Sequence, residues 1–413
     1  MDETLQRLRI DETRLWQSIE EMAQVGPGRA GGCNRQALTD EDKQGRDLFV
    51  SWARAANCAV AIDEVGNLFA RRPGSDAGAA PVIAGSHLDT QATGGRFDGV
   101  FGVLAALEVV RTLEQHEVRT RRPVEIAVWT NEEGCRFVPA MLGSGVVAGA
   151  YPVEYAYGRT DAQGLRFGDE LARIGYRGSL PAAPRPCTAV FEAHIEQGPI
   201  LEKEGRTIGV VEGIQGAYWF DVVLEGQSCH AGPTPMPMRR DPWYAAAPII
   251  AGAFERARNH APWGRCTVGN VQALPGARNT VPERLVVSVD LRHPDPNVLE
   301  ALVGELRALV RDECARHGIE GTVEQVWHMP ATAFDSRLVD LVERTAMRLG
   351  YPNRRMVSGA GHDSLHTARF APTAMIFVPC RGGLSHNEAE SASSADLAAG
   401  ANVLLHAVLE TAN

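Results

Sequence analysis

The sequence predicts an α/β fold in which one domain is inserted into another. The length of 413 residues exceeds what one compact core usually holds. Up to about residue 212, short runs that are apolar throughout alternate with helical stretches, a pattern typical of parallel strands buried on both faces. A segment with a different order of elements follows, and then the first alternation resumes. These three observations indicate an interrupted α/β domain.

The first part of the chain supplies the elements of a largely parallel central sheet. Each apolar run predicts a strand, and a helical stretch separates each strand from the next, which is the α/β layer arrangement. The predicted elements are a strand at 81–86, a helix at 99–116, a strand at 124–130, a helix at 139–149 and a strand at 189–194.

The inserted segment, residues 213–328, predicts the order βαββαβ of a ferredoxin-like domain. Its elements are a strand at 218–224, a helix at 241–260, strands at 267–273 and 285–291, a helix at 296–317 and a strand at 322–327. A helix at 336–349, a strand at 373–378 and a closing helix at 395–411 then return to the first pattern. The outer domain is therefore predicted to be discontinuous, at 1–212 and 329–413.

Charge and composition exclude several classes of partner. With 51 acidic against 41 basic residues the net charge is −10, and no Lys/Arg run suggests binding to nucleic acid or to an anionic membrane. No apolar run is long enough to span a bilayer, and the acidic start lacks the apolar stretch of a signal peptide. Eight scattered cysteines without a CxxC pair indicate reduced thiols and a cytoplasmic protein.

A glycine-rich loop after the first predicted strand, GSHLDTQATGGRFDG, contains three candidate metal ligands or their partners: His87, Asp89 and Asp98. The His-x-Asp spacing suits a ligand whose second ring nitrogen is held by a carboxylate. A turn explains Asp89 equally well, and an N-cap of the following helix explains Asp98. For this stretch alone the alternatives stay open.

Similar side chains follow the other predicted strands. Glu132 and Glu133 come directly after VEIAVWT, His194 ends the strand in FEAHIEQGP, and His386 lies in the loop after the last strand. Open α/β sheets bind ligands at the carboxyl edge of their strands, so these residues are predicted to meet. Because neighbouring side chains at a strand end point different ways, one of the two glutamates can bind a metal while the other faces a reacting water.

The predicted set is three histidines, one aspartate and one glutamate, with a second glutamate as general base. One zinc ion needs three or four protein ligands, whereas five fit two ions that share a bridging carboxylate. Zinc suits this set best, and manganese, cobalt or nickel also fit. Glu192 and Glu196, on either side of His194, are read as surface charge.

Nine motifs, in order, give residues 16 to 411 a resemblance to a known family. The sequence resembles the dinuclear-metal amidohydrolases of the aminoacylase/carboxypeptidase-G superfamily, and within it the branch of N-carbamoyl-amino-acid hydrolases, β-ureidopropionases and allantoate amidohydrolases. The motifs are GSHLDT, GGRFDGVFGVL, NEEGCRF, HIEQGPILE, GIQG, HAGPTPM, DLRHP, SGAGHDS and GLSHN.

The resemblance implies a catalytic α/β domain with an inserted ferredoxin-like dimerisation domain, two divalent metal ions per subunit and a homodimer. It also implies a role for each metal-site residue. His87 and His194 hold one ion, Glu133 and His386 hold the other, Asp98 bridges them, Glu132 is the base, and Asp89 orients His87.

The resemblance further implies a set of residues that bind substrate. Arg292 would hold the substrate carboxylate in a bidentate contact, although without the resemblance a surface arginine beside Asp295 is favoured. His230 would donate a hydrogen bond to the oxyanion of the tetrahedral intermediate, although alone it is an ordinary loop histidine. The remaining implied residues are Gln215 and Asn279, which would assist, and Gly359 and Ala360, whose backbone would approach the substrate. A hydrogen bond that orders its own loop explains His362 equally well.

Two positions depart from the family pattern. Pro233 stands in HAGPTPM where many relatives have threonine, and Glu283 directly follows a proline where relatives usually have Gly-Glu. Neither is a predicted metal ligand, so the departures bear on substrate preference.

The implied reaction is hydrolysis of the N-carbamoyl group of an N-carbamoyl-L-amino acid or of N-carbamoyl-β-alanine, with release of the amino acid, CO2 and ammonia. An allantoate amidohydrolase, or an aminoacylase or peptidase of the same fold, is the first alternative. A catalytically silent small-molecule sensor or scaffold is the second, and retention of Glu132 beside all five ligands argues against it.

Overall fold

The computed structural model describes residues 3–413, which divide into two compact units. The first unit comprises the described residues up to Gly213 together with Ala333–Asn413, and the second comprises Ile214–Thr332. The sequence predicts junctions at 212/213 and 328/329. No helix among the described residues is long and apolar enough to cross a membrane.

Residues 3–413 form sixteen strands. They are β1 Ala59–Ile62, β2 Leu68–Arg72, β3 Val82–His87, β4 Val124–Trp129, β5 Ala189–Ile195, β6 Ile208–Ile214, β7 Gly216–Glu225, β8 Cys229–His230, β9 Arg265–Thr267, β10 Val271–Leu274, β11 Thr280–Val281, β12 Arg284–His293, β13 Glu320–Met329, β14 Thr332–Ala333, β15 Asn353–Ser358 and β16 Thr373–Val378.

The same residues form thirteen α-helices. They are α1 Glu3–Gln6, α2 Glu12–Met22, α3 Asp40–Ala55, α4 Val100–Gln115, α5 Leu142–Val147, α6 Val153–Tyr157, α7 Phe167–Arg173, α8 Ile200–Glu204, α9 Trp243–Asn259, α10 Pro296–His317, α11 Ser336–Arg348, α12 Ser364–Thr367 and α13 Ser394–Ala412.

The first unit is built on a nine-stranded sheet whose four central strands are parallel. The strand order is β1-β2-β4-β3-β5-β16-β6-β14, and β15 also pairs with β6. The pairs β4/β3, β3/β5 and β5/β16 are parallel, whereas β2 and β6 join them antiparallel. All four central strands are buried along their whole length, as their unbroken apolar runs require. The predicted α/β class with a largely parallel central sheet is confirmed.

Helix α4 lies at the centre of this unit. It is buried on almost every side because it packs on β3 and against α2 and α13. Its sequence, VFGVLAALEVVRTLEQ, is accordingly apolar around most of its circumference rather than along one stripe. The N-terminus of α4 follows directly after Asp98, so the packing of this helix fixes the end of the glycine-rich loop.

Some elements differ from the sequence prediction. The predicted elements begin at residue 81, and the structure adds α3 and the antiparallel pair β1/β2 before that point. The helix predicted at 139–149 is only Leu142–Val147, because Met141 has a left-handed φ of 54° that a continuing helix cannot adopt.

The second unit is an antiparallel sheet in the order β10-β12-β7-β13, with β9 also paired to β12. Side chains that alternate along β7 and β12 form a core with α9 and α10, which accounts for the alternating letters of both strands. The predicted βαββαβ order is confirmed with one correction. The single strand predicted at 267–273 is two short strands, because the intervening Asn270 is held through its backbone by the Ser288 hydroxyl.

Candidate metal centre and active site

Neighbouring parallel strands bring the predicted ligands to one edge of the first unit's sheet. His87 is the last residue of β3, His194 is the penultimate residue of β5, and Glu132 and Glu133 follow the end of β4. His386 lies in the loop after β16, the strand next to β5. Since these strands run in the same direction, their carboxyl ends coincide, and the structure places all five predicted ligands in two groups that share Asp98.

The first group consists of His87, Asp98 and His194, all of them buried. Asp98 Oδ1 lies 3.1 Å from His194 Nε2 and 3.7 Å from His87 Nε2. The Nδ1 atom of each histidine lies 2.9 Å from a backbone oxygen, that of Asp89 for His87 and that of Ile195 for His194. These contacts aim both Nε2 atoms at the same carboxylate oxygen, as metal-binding histidines require.

The second group consists of Asp98, Glu133 and His386. His386 Nε2 lies 3.4 Å from Asp98 Oδ2 and 3.3 Å from Glu133 Oε2. The side chain of His386 is 52% exposed, whereas those of His87 and His194 are each 1% exposed. Asp98 therefore presents one oxygen to each group, which is the geometry of a bridging carboxylate.

The two adjacent glutamates have different surroundings. Glu133 is held by Gln91, whose backbone N–H donates to Oε1 at 3.1 Å and whose Nε2 donates to Oε2 at 2.7 Å. Glu132 Oε2 lies 3.5 Å from His87 Nε2, and Glu132 belongs to neither ligand group. This difference supports Glu133 as the ligand and Glu132 as the base, a distinction that spacing alone leaves open.

Asp89 acts on its neighbours differently from the sequence prediction. The nitrogen of His87 contacts the backbone oxygen of Asp89, and the Asp89 carboxylate is 3.9 Å away from it. That carboxylate instead accepts the backbone N–H groups of Glu132 and Glu133, each at 3.2 Å. Asp89 thus orients the histidine through its main chain and the two glutamates through its side chain.

The pKa values of the buried histidines and of Asp98 indicate which kind of ion the site can bind. Burial lowers the pKa of the His87 imidazole to about 4. Burial opposes the charged forms of Asp98 and His194, but their mutual hydrogen bond and attraction prevail. The pKa of Asp98 is therefore well below its usual range, and the pKa of His194 rises to about 9. A cation bound between Asp98 and His194 would likewise balance the charge of Asp98.

The acidic groups of the site repel one another. Burial, reinforced by the surrounding carboxylates, raises the pKa values of Glu132 and Glu133 well above their usual range. Burial and the charge of Asp42 raise the pKa of Asp89 to about 7. Among residues 3–413, no lysine or arginine pairs with the carboxylates of Asp98, Glu132 or Glu133. The residues present therefore fit divalent cations, which would supply the missing positive charge.

A further cluster of Glu192, His194 and His362 has ligand-type atoms but a different role. The Glu192 carboxylate already accepts hydrogen bonds from the Ser86 hydroxyl at 2.7 Å and from the backbone and hydroxyl of Ser364 at 3.1 and 2.6 Å. Because both oxygens of Glu192 already accept these hydrogen bonds, we infer that Glu192 stabilises the edge of the sheet. His362 lies 2.9 Å from the Ser358 hydroxyl, the loop-ordering bond considered above, and its ring packs on that of His194.

The reading of Glu192 and Glu196 as surface charge is wrong. Both residues are buried. Glu196 accepts the first backbone N–H groups of α8, from Ile200 at 2.9 Å and Leu201 at 2.8 Å. It therefore serves as a cap for a short helix, where a carboxylate satisfies donors that have no partner within the helix.

Three of the seven non-glycine residues with a positive φ in the described part of the chain lie in loops of this site. Asn131 precedes the two glutamates with a φ of 57°, Gln197 has 56°, and His386 itself has 53°. Such conformations are costly for side-chain-bearing residues and persist where surrounding contacts determine them. Gln197 Nε2 donates to Asp98 Oδ2 at 2.8 Å, so this conformation places a donor on the carboxylate that the two groups share.

Gly99 shows why glycine is needed beside the first group. Its φ is 67°, and a Cβ there would lie 2.3 Å from His87 Nε2. It also occupies the N-cap position of α4, so the carboxylate of Asp98 does not cap that helix. The alternative in which Asp98 acts as a side-chain N-cap is wrong, because both its oxygens face histidines and polar donors.

Replacing Gly99 by alanine is expected to destabilise the protein and to weaken metal binding. A positive φ of this kind costs a residue with a Cβ about 1–3 kcal/mol, and the added methyl must also displace the His87 ring. Gly149→Ala is the matched control, since Gly149 has a φ of 70° and nothing within 4 Å of the added methyl. Thermal melting should fall in both variants, whereas titration with Zn²⁺ should show weaker binding only in Gly99→Ala. Equal metal affinities in the two variants would contradict this account.

The predicted substrate-binding residues lie in both units. In the second unit, β8 and β11 pair His230 with Thr280, which places His230 beside Asn279. Both side chains are exposed, and the Ala231 N–H donates to the Asn279 oxygen at 2.9 Å. Arg292, on β12, makes a bidentate ion pair with Asp290, with contacts of 2.7 to 3.1 Å, rather than one with Asp295.

The other three predicted substrate residues are placed as follows. Gln215, between β6 and β7, is buried. Gly359 and Ala360 belong to the loop after β15 in the first unit, where the Ala360 N–H donates to the Ser358 hydroxyl at 3.1 Å. The roles of all these residues toward a substrate stay predictions.

Four residues of the site were missed by sequence reasoning: Gln91, Gln197, Ser385 and Glu390. Each lies within one to four residues of a predicted ligand or its partner, in DTQ, HIEQ or SHNEAE. The available signal was that these polar residues stand in the same glycine-containing loops as the predicted ligands. Their partners are distant in sequence, so the specific contacts had no local signature.

Comparison with known proteins agrees with this architecture. The pattern of peptidase family M20/M25/M40 matches residues 83–410. An N-carbamoyl-L-amino-acid amidohydrolase of Rhizobium meliloti is 49% identical over 404 residues, which cover 98% of this chain and 97% of that protein. An allantoate amidohydrolase of Bacillus subtilis (strain 168) is 34% identical over 388 residues, 94% of either chain.

Solved structures extend the agreement to three dimensions. The crystal structure of an amidase of the hydantoinase/carbamoylase family from Burkholderia multivorans has a TM-score of 0.95 and 51% sequence identity, with 98% of each chain covered. The resemblance stated from the nine motifs is confirmed. The chain belongs to peptidase family M20/M25/M40.

Proposed function

We propose that this protein is a metal-dependent amidohydrolase that cleaves the N-carbamoyl group of N-carbamoyl-L-amino acids. The observation that carries the proposal is the pair of ligand groups joined at Asp98, with Glu132 beside them and outside both. The 49% identity to an N-carbamoyl-L-amino-acid amidohydrolase over nearly the whole of both chains supports the substrate class.

Two divalent ions are proposed, with zinc favoured by the mixture of imidazole and carboxylate ligands. His87, Asp98 and His194 would hold one ion, and Asp98, Glu133 and His386 the other. When bound, such ions act as Lewis acids that polarise a carbonyl and acidify water. The Asp89 carboxylate accepts the Glu133 N–H, and Gln91 donates to the Glu133 carboxylate, so the chain itself keeps the loop of Glu133 in place.

Glu132 would hold the proton that moves during the reaction. Its carboxyl accepts a proton from the attacking water and later delivers it to the nitrogen of the amino acid as the C–N bond breaks. The carbamate released loses CO2 and leaves ammonia, so one water is consumed for each amino acid, CO2 and ammonia formed.

The second unit would bind the rest of the substrate. Arg292 would receive the α-carboxylate, and His230 would donate to the oxygen that becomes negative in the tetrahedral intermediate. Asp290 keeps the guanidinium of Arg292 in a fixed plane. Gln215, Asn279 and the backbone of Gly359 and Ala360 are proposed as further substrate contacts.

Replacing Arg292 by alanine is expected to raise KM about 10- to 100-fold, because a hydrogen bond to a charged group contributes about 1.5–3 kcal/mol. Metal content should not change, since Arg292 belongs to neither ligand group. Arg284→Ala is the control, because Arg284 lies on the same strand and pairs with Glu225. Steady-state kinetics on an N-carbamoyl-L-amino acid measure the effect. An unchanged KM for Arg292→Ala would show that Arg292 does not bind the substrate.

Allantoate hydrolysis is the second candidate, since an allantoate amidohydrolase is 34% identical over 94% of this chain. A substrate panel separates the two functions. Protein reconstituted with Zn²⁺ or Mn²⁺ is assayed for ammonia release from N-carbamoyl-L-methionine, N-carbamoyl-β-alanine and allantoate. Faster turnover of the carbamoyl amino acid supports the proposal. Faster turnover of allantoate would show that the protein is an allantoate amidohydrolase instead. With two ions bound and none of the three hydrolysed, the ureido reading is wrong.

We further propose a homodimer and a cytoplasmic location. The dimer follows from the family's use of the inserted domain, and light scattering of the purified protein tests it. The eight free cysteines, four of them buried, fit a reducing compartment.

A further inference from the structure

We propose that Glu390 is a positioning residue that sets the separation of Asp98 and His386 and so completes the second ligand group. The inference rests on the proposed dinuclear centre. Glu390 is 3% exposed and lies four residues after His386, on the far side of the same loop. No metal ligand role is assigned to it, because it belongs to none of the ligand groups found among residues 3–413.

The Glu390 carboxylate joins two loops that are almost 300 residues apart in sequence. Its Oε1 accepts the backbone N–H groups of Phe97 at 2.9 Å and Asp98 at 3.1 Å. Its Oε2 lies 3.0 Å from the hydroxyl of Ser385, the residue before His386. The Glu390 side chain thus holds the main chain at Asp98 and also holds Ser385, the residue before His386.

Ser385 extends this connection to the bridging carboxylate itself. Its hydroxyl lies 2.8 Å from Asp98 Oδ2, the oxygen that faces His386. Gln197 Nε2 donates to the same oxygen at 2.8 Å and to the Ser385 hydroxyl at 3.2 Å. Glu390, Ser385 and Gln197 therefore fix the orientation of Oδ2, whereas Oδ1 faces the histidines of the first group.

Gly95 provides an independent sign that this contact is built into the fold. A Cβ at Gly95 would lie 2.0 Å from Glu390 Oε1 and 2.1 Å from its carboxyl carbon. Only glycine lets the carboxylate enter the loop deeply enough to reach two consecutive N–H groups. This accounts for a glycine in GGRFDG that neither a turn nor a positive φ demands.

The base of the His386 loop is also fixed. The backbone N–H of Arg381 donates to the oxygen of Ser391 at 2.7 Å, which closes the loop beside Glu390. The Glu390 N–H donates to the Asn387 oxygen at 3.0 Å. A displacement of the Glu390 side chain would therefore move Ser385 and His386 relative to Asp98, and leave His87 and His194 on their strands.

The test compares two substitutions of Glu390. Glu390→Ala removes every contact of the carboxylate. In Glu390→Gln the amide oxygen still accepts the backbone N–H groups of Phe97 and Asp98. Its NH2 group can donate to the Ser385 oxygen, and the Ser385 hydroxyl then donates its single proton to the Asp98 carboxylate. Metal-free protein is titrated calorimetrically with Zn²⁺, and the visible spectrum of the Co²⁺-loaded protein reports the ligand geometry. Glu388→Ala is the control on the same loop, since Glu388 accepts backbone N–H groups of Ala30 and Gly32 and holds no ligand segment.

Glu390→Ala is expected to weaken one of the two Zn²⁺ affinities about 10- to 100-fold, the range typical of residues that orient metal ligands, and to change the Co²⁺ spectrum. The other affinity should fall less, because His87 and His194 lie on strands and not in the loops that Glu390 joins, and Glu390→Gln and Glu388→Ala should resemble the unmodified protein. Two unchanged affinities in Glu390→Ala, or equal weakening of both with a lowered melting temperature, would overturn the inference. If the unmodified protein binds fewer than two ions, the dinuclear proposal itself fails.

Discussion

Glu132→Gln is expected to lower kcat by roughly 10²- to 10⁴-fold while the protein keeps both metal ions. The amide has nearly the same shape as the carboxylate but cannot accept the proton of the attacking water. Because Glu132 belongs to neither ligand group, its loss leaves the ion ligands intact. Metal analysis of the purified variant, together with ammonia release from an N-carbamoyl-L-amino acid, measures the two quantities separately.

The adjacent glutamate provides the matched comparison. Glu133→Gln should lose affinity for one ion, because Glu133 Oε2 lies 3.3 Å from His386 Nε2 in the second group. Both variants replace a carboxylate of the same loop by an amide. If only the loss of charge mattered, metal affinity and kcat would change equally in the two variants. A Glu132→Gln variant that loses metal, beside a Glu133→Gln variant that keeps it, would reverse the two assignments.

Asp98→Asn is expected to abolish binding of both ions at micromolar concentrations and, with it, activity. One oxygen of Asp98 faces His87 and His194 and the other faces His386, so a single substitution affects both groups. The drop in each affinity should exceed about 100-fold, since even residues that merely orient ligands change affinity by 10- to 100-fold. Calorimetric titration of the metal-free variant gives the result.

His386→Ala supplies the contrast to Asp98→Asn. His386 belongs to the second group alone, so this variant should retain one tightly bound ion and lose the other. Its exposed side chain also makes a folding defect small. If Asp98→Asn likewise retains one ion at full affinity, Asp98 is a ligand of one ion and not a bridge.

The sequence was sufficient for the sheet and for the meeting of the candidate ligands at its edge, because both are encoded locally. Apolar runs such as the one before His87 identify buried strands, and the ligands follow directly at the strand ends. Parallel pairing then brings separate strand ends together without further information. The identities of the two glutamates needed either the family resemblance or the contacts of Gln91 and His87.

Contacts that depend on three-dimensional packing could not be predicted from one sequence. The Glu390 carboxylate meets Asp98 across almost 300 residues, and only the completed fold brings them together. Glu192 was misread because a charged residue inside a strand looks solvent-exposed until the serines that satisfy it are known. The break between β9 and β10 depends on one serine side chain in the neighbouring strand.

The unequal burial of the three histidines has a kinetic consequence. In the proposed dinuclear centre, an ion held by His87 and His194 would be enclosed and leave slowly, whereas an ion held by the half-exposed His386 would exchange with the solution. Chelators should strip the protein in two phases, and the purified protein should carry one constant metal and one that reflects the growth medium. Two preparations of the same chain can then differ in activity although their sequences and folds are identical.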